Sequence, residues 1–165
     1  MKSKKPVLLM GGHTDEMFTP KYALKPLLPY IKDDWTIWEC AYGNGALYNH
    51  LKELGYDVVG NGEDFLKTNI DCDIIVTNPP YSLKYEFLKR AYHIHKRFAF
   101  LMPITALEGI KRGALYNKYG IQLIIPNRRI NFITPNGGKS RWFATAWFTY
   151  GLNLEFDLNF KELER

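Results

Sequence analysis

The sequence predicts an α/β domain: a mainly parallel central sheet, helices on both faces, and an antiparallel hairpin near the C-terminal end. Three observations carry this. Short apolar runs at residues 36–40, 56–59, 72–77 and 97–102 alternate with amphipathic helical patterns. The run Ile74-Ile75-Val76 is continuously apolar, as in a strand covered on both faces. Residues 130–134 and 142–150 flank Pro135-Asn136-Gly137-Gly138, a turn between two strand-like segments. A length of 165 residues suits one domain, 1–165, with residues 1–17 as a mobile arm.

In chain order, Pro6-Val7-Leu8-Leu9-Met10 reads as a short extended segment turning at Gly11-Gly12. Thr19 caps a helix with Pro20 at its first position, and Leu24, Leu27, Leu28 and Ile31 share a face that Pro26 and Pro29 shorten or kink. Residues 36–40 form the first sheet strand and stop at Ala41-Tyr42-Gly43-Asn44-Gly45. The next helix turns Leu47, Leu51 and Leu54 inward and ends at Gly55. Strands at 56–59 and 72–77 follow, the second running into Asn78-Pro79-Pro80-Tyr81. Residues 82–93 are helical, with Phe87, Leu88 and Ala91 apolar. A strand at 97–102, a helix over 107–119 and a strand at 122–125 precede the hairpin. Residues 153–165 read as an edge strand or a short helix.

Composition narrows the function classes. Lys and Arg number 22 against 17 Asp and Glu, a net charge of +5 that suits a polyanionic partner. Aromatics at 15% supply rings that stack bases as well as fill cores. The two cysteines, Cys40 and Cys72, are too few for a disulfide scaffold or a zinc site, which points to a reducing cytoplasm. No apolar stretch approaches the roughly 18 residues of a membrane span, and residues 6–10 are too short for a signal peptide's apolar region. His93 and His95 sit at a helix end, with no further ligand at metal-binding spacing.

Chemistry belongs beyond the carboxyl ends of the parallel strands. Two loops stand there. In Glu39-Cys40-Ala41-Tyr42-Gly43-Asn44-Gly45 the glycines allow a tight turn and close approach of a ligand, and the following helix offers its positive amino end. In Asn78-Pro79-Pro80-Tyr81 two prolines remove two backbone donors and stiffen the chain. That fixes the Asn78 side chain and the Asn78 and Pro79 carbonyls as acceptors beside a ring, an arrangement that suits a planar group bearing an amine.

Asn-Pro-Pro-Tyr preceded by a Glu-x-x-x-Gly-x-Gly loop resembles the amino-methyltransferases that use S-adenosylmethionine. Thr19-Pro20, Asp64-Phe65-Leu66, Leu107-Glu108-Gly109 with Arg112, Arg128-Arg129-Ile130-Asn131-Phe132 and the aromatic segment around Trp147 resemble the small phage-type DNA adenine-N6 methyltransferases. The resemblance covers residues 18–150. It implies a Rossmann-like methyltransferase fold and a catalytic set of Asn78, Pro79, Pro80 and Tyr81. S-adenosylmethionine would be held by Thr19, Pro20, Glu39, Cys40, Ala41, Gly43, Gly45, Asn61, Asp64, Phe65 and Asn78. By the same resemblance Asp64 binds the cofactor's adenine amine, Phe65 packs on that ring, and Tyr81 stacks on a base flipped out of the duplex. His13, beside Gly11-Gly12, is placed to close over the cofactor.

Departures from the pattern bear on affinity. Cys40 stands where the family carries Pro, which loosens the loop. The second strand leads into Gly60-Asn61-Gly62-Glu63 rather than ending on the acid that holds ribose hydroxyls, so Asn61 or Glu63 must take that part. No separate target-recognition domain is expected. Target contacts then fall to Lys111, Arg112, Arg128, Arg129, Lys139 and Arg141, against DNA or RNA, or to a protein partner. The expected reaction is methyl transfer to adenine N6 in DNA. The alternatives are RNA adenine, cytosine-N4 or protein glutamine methylation, or an inactive nucleic-acid-binding subunit of the same fold.

Overall fold

The computed structural model describes residues 17–60, 62–94, 96–141 and 143–165, together with the backbone of 8–9 and 13–14. Asn61, His95 and Trp142, the His13 side chain and most of the expected arm 1–17 lie outside the described residues.

Eleven strands and three α-helices run through the described residues. They are β1 (Leu8–Leu9), β2 (His13–Thr14), β3 (Thr36–Trp38), α1 (Ala46–Glu53), β4 (Asp57–Val59), β5 (Ile74–Thr77), α2 (Lys84–His93), β6 (Arg97–Pro103), α3 (Ile110–Tyr119), β7 (Gln122–Pro126), β8 (Phe132–Ile133), β9 (Lys139–Ser140), β10 (Thr145–Tyr150) and β11 (Leu158–Lys161). Seven form the central sheet in the order β11-β7-β10-β6-β5-β3-β4. β4, β3, β5 and β6 are mutually parallel, and β10 inserts antiparallel between β6 and β7. This is the expected Rossmann-like α/β sheet with an antiparallel strand.

Alternation along the strands splits the core into two layers. Ile74 and Val76 turn toward α1, whose Leu47 and Leu51 are buried with Ile37, Val58 and Trp147. Ile75 turns the other way, toward Phe87, Leu88, Ala91 and Tyr92 of α2, in a cluster with Trp38, Phe98 and Phe100. α3 lays Leu115, Tyr116 and Tyr119 against that second layer. The helices therefore cover both faces. Trp147 is fully buried, its indole N–H donating to Ala23 O at 2.9 Å.

Three expectations are corrected. The helix expected after Thr19-Pro20 is two 3₁₀ turns, Lys21–Leu24 and Leu28–Tyr30, and Thr19 makes no cap. Pro26 and Pro29 withhold the amide hydrogens a continuous helix needs. Leu54 is 39% exposed rather than inward, because α1 ends at Glu53 and the chain turns at Gly55. The hairpin is β8–β9, pairing Phe132 with Ser140 and Ile133 with Lys139, while Thr145–Tyr150 leaves it for the central sheet. Of the two forms expected of the tail it takes the edge strand: β11 runs parallel to β7.

Candidate active site

The sheet's direction of travel reverses at β3. The chain passes through α1 to β4 on one side of it, and later returns to place β5 on the other. The carboxyl ends of β3 and β5 therefore open into a shared crevice. A cleft of about 720 Å³ occupies it.

Its wall is the loop after β3. Gly43 and Gly45 adopt φ of +53° and +80°, which reverse the chain into α1. A side chain at Gly45 would press 2.8 Å from the Tyr42 ring, so the loop closes on its own aromatic. At Gly43 the space is open, with Ala41 O at 3.8 Å and a Phe18 ring carbon at 4.0 Å from an added Cβ. The Ala46 amide at the head of α1 donates to Asn44 Oδ1 at 3.0 Å.

Glu39 lies at the base of this wall and is 2% exposed. Its Oε1 accepts from the Thr77 hydroxyl at 2.5 Å and from the Ala41 amide at 2.9 Å. Burial outweighs those two bonds and raises its carboxyl to about 7. Beside it the Cys40 thiol is pushed well up, by burial and then by the Glu39 charge.

The opposite wall is the turn after β5. The Asn78 amide donates through Nδ2 to Met17 O at 2.9 Å, which fixes its orientation. Asn78 Oδ1 is buried and has no hydrogen-bond partner among the described residues. Thr19 Oγ1, also on the cleft, is in the same condition. A buried acceptor without a donor costs roughly 1–3 kcal/mol, so its persistence marks a site that awaits one. The segment carrying Met17 is held in place by Phe18, which exchanges backbone bonds with Ile133 of β8 at 2.9 and 3.0 Å.

Of the expected cofactor residues, Thr19, Glu39, Cys40, Ala41, Gly43, Asp64, Phe65 and Asn78 line one cleft, and Glu63 joins them. Pro20 and Gly45 do not line it: Pro20 begins the 3₁₀ turn, and Gly45 lies under Tyr42. Phe65 is 2% exposed, wedged 5.2 Å from the Trp38 ring and 4.8 Å from that of Phe87. Asp64 caps its own turn, accepting from the Leu66 amide at 3.1 Å, with Lys67 3.5 Å away.

The expected stacking residue, Tyr81, is covered in this structure. Tyr81 is 4% exposed and meets Phe143 edge-on at 5.5 Å. The reason is local: after Pro80 the chain winds into a 3₁₀ turn, Tyr81–Leu83, which swings the ring inward. Pro79 is buried, and Pro80 lines the cleft.

The expected target contacts divide into two groups. Lys139 lies on β9, with Arg141 just beyond it, and Arg129 Nη1 donates to Arg141 O at 3.0 Å, which ties the exposed Arg128-Arg129 segment to the hairpin. The Phe18–Ile133 pairing sets that hairpin against the cleft's rim. Lys111 and Arg112 open α3 across a shallower hollow shared with Ser82 and Lys84. Arg112 is not a free phosphate ligand: its guanidinium donates to Ala106 O at 2.8 Å and to Glu108 O, holding the loop before α3. The Lys111 ammonium rests 5.4 Å from the Tyr85 ring centroid.

Sequence reasoning missed Met17, Phe18 and Thr77. Thr77 and Phe18 adjoin residues it chose, but the bond from Asn78 to Met17 spans 61 positions and leaves no local signal.

No protein-family model matches the chain, and no curated protein sequence does. Solved structures do, at fold level. The methyltransferase subunit of a type I restriction-modification system from Streptococcus thermophilus superposes with a TM-score of 0.57 at 16% identity. The match covers 89% of this chain and 47% of that one, so the chain spans about half that neighbour's length. A protein from Listeria monocytogenes, described as a class I S-adenosylmethionine-dependent methyltransferase, gives 0.56 at 12% identity over 94% of this chain and 68% of its own. A ribosomal protein L11 methylase from Lactobacillus delbrueckii subsp. bulgaricus gives 0.51 at 13% identity, over 81% and 80%. At these identities the likeness establishes the fold: the chain has the Rossmann-like architecture of methyltransferases.

Proposed function

We propose that this chain transfers a methyl group from S-adenosylmethionine to the exocyclic N6 amine of adenine in DNA. The observation that carries the reading is the Asn78 amide, oriented by Met17 O and presenting a buried, unpartnered Oδ1 at the switch-point cleft. The cleft fits the cofactor on three counts: its volume, the orphaned Thr19 oxygen, and the open approach over Gly43. Thr19, Glu39, Ala41, Gly43, Asp64 and Phe65 would hold it, with Glu63 nearest the part the family gives to an acid after the second strand.

The bound sulfonium supplies an electrophilic methyl group. This chain's residues supply position and hydrogen-bond acceptors. An adenine amine is a weak nucleophile because its lone pair is delocalised into the ring. Asn78 Oδ1 and the Pro79 carbonyl would accept its two hydrogens and draw the lone pair out of conjugation; as the N–C bond forms the S–C bond breaks, a neutral thioether leaves, and the surplus proton on nitrogen passes to water. Glu39, ionised, offsets cationic charge at the loop end of the cleft. The rigid Pro79-Pro80 pair holds these acceptors without reorganisation. In a duplex the base must leave the stack to arrive there, and the Arg128–Arg129 segment with Lys139 and Arg141 would hold the phosphates.

RNA adenine and cytosine-N4 amines and the protein glutamine amide present the same donor geometry, and the neighbours include a restriction-modification methyltransferase subunit and a ribosomal protein methylase. A partner that supplies target recognition is a further part of the proposal. The covered Tyr81 ring favours a second reading, a binding subunit without catalysis. Calorimetric titration with S-adenosylmethionine separates the two: binding supports the catalytic reading, and its absence in wild-type protein of native fold overturns it. Saturation at about 100 times Kd would raise stability by about 2.7 kcal/mol.

A further inference from the structure

Among the described residues β11 is the outer strand of the central sheet and pairs with β7 on one side only. Leu123 N donates to Asp157 O at 2.7 Å and Asn127 N to Lys161 O at 2.8 Å. Residues 157, 159 and 161 therefore turn their main-chain groups toward β7, and strand alternation points those of Leu158 and Phe160 at the open edge. The side chains along that edge are apolar and uncovered: Phe156 is 61% exposed, Leu158 50% and Phe160 72%. Asn159 between them is buried, its amide donating to Leu123 O at 3.1 Å and to Phe156 O at 2.6 Å. An open edge flanked by an apolar stripe is a template for another strand.

The strand's own sequence identifies that strand. Asp157-Leu158-Asn159-Phe160-Lys161, laid antiparallel on itself about Asn159, sets Asp157 against Lys161, Leu158 against Phe160, and Asn159 against its copy. We infer that β11 pairs with β11 of a second copy of this chain about a two-fold axis at Asn159, joining two seven-stranded sheets edge to edge. Leu158 and the second copy's Phe160 exchange both backbone bonds, and symmetry repeats the exchange. Asp157 and the second copy's Lys161 form a non-hydrogen-bonded pair, with Cα atoms about 4.5 Å apart, where side chains approach most closely. Both charged groups stay within reach of such a partner. The Lys161 ammonium lies 5.4 Å from the Tyr30 ring centroid, and the Asp157 carboxylate accepts only a 3.5 Å contact from Gln122. The cleft is at β3 and β5, with β7, β10 and β6 between it and β11, so pairing leaves it open.

Sedimentation velocity on the full chain across a concentration series tests this without reference to activity. The wild type is expected to show a monomer–dimer equilibrium that shifts toward dimer with concentration. Asp157→Lys and Lys161→Asp each place like charges twice across the joint, and each should weaken the dimer by about tenfold or more. The double variant restores opposite charges and should return to within about threefold of wild type, while circular dichroism melts report that all three keep their fold. A wild type that stays monomeric at the highest concentration overturns the inference. So does a dimer indifferent to the single changes, or a double variant no tighter than either single one.

Discussion

Glu39→Gln isolates the electrostatic cost built into the site. The wild-type carboxyl is raised from 4.5 to about 7, with burial the largest cause. The folded state therefore binds its proton more tightly than the unfolded chain does. Stability from this group is fully present below about 4.5 and is lost as pH rises toward 7 and beyond. A difference of about 2.5 units corresponds to about 3 kcal/mol once both states are ionised, and roughly 2.5 kcal/mol of it develops between pH 5 and pH 8. Glutamine keeps an oxygen for the Thr77 hydroxyl and the Ala41 amide but cannot ionise, so its stability profile lacks this slope. The extra amide hydrogens carry a pH-independent cost, which leaves the slope as the clean signal. Urea denaturation of both proteins at pH 5 and pH 8 reads it directly. The variant should gain about 2.5 kcal/mol on wild type between the two, equivalent to about 5–10 °C in Tm for a domain of this size. Parallel profiles would refute the buried, proton-holding Glu39 described above.

Other expectations follow from the same geometry. Asn78→Ala should lower methyl transfer by at least about 10²-fold, with cofactor affinity in calorimetry changed far less, because the lost acceptor serves the amine. Cofactor affinity should rise with pH up to about 7 and then level, since a cationic ligand favours ionised Glu39; titration across pH 6–8 in buffers of different ionisation enthalpy would show the released proton. Gly60→Ala would set a Cβ 2.3 Å from Glu39 O at a φ of +117°, and denaturant melts should show a loss above about 3 kcal/mol. Gly55→Ala, at φ +92° in open space, should cost only about 1–2 kcal/mol by the same measurement.

The parallel half of the sheet was legible because each strand is a local apolar run and each helix a local periodicity. Ile74-Ile75-Val76 needs burial on both faces and receives it. What escaped was pairing between distant segments. Thr145–Tyr150 reads locally as a hairpin arm, yet six of its residues find β6 instead, because inserting Trp147 and Phe148 between two sheet strands buries both completely. The 3₁₀ turns near Pro26 and Pro29 were half visible, since the prolines announced an interruption without its form. At the site, the contiguous loops at residues 39–45 and 78–81 located the cleft. The cover that Phe143 places on Tyr81 was not readable, because nothing in either segment names the other.

One measurement tests the central proposal most directly. The protein is incubated with isotope-labelled S-adenosylmethionine and, separately, duplex DNA, single-stranded DNA and RNA. Each polymer is then digested to nucleosides for mass spectrometry, with Asn78→Ala run alongside. Labelled N6-methyldeoxyadenosine from DNA, lost in the variant, is the predicted result. No label in any polymer, or label that persists undiminished without the Asn78 amide, would contradict it.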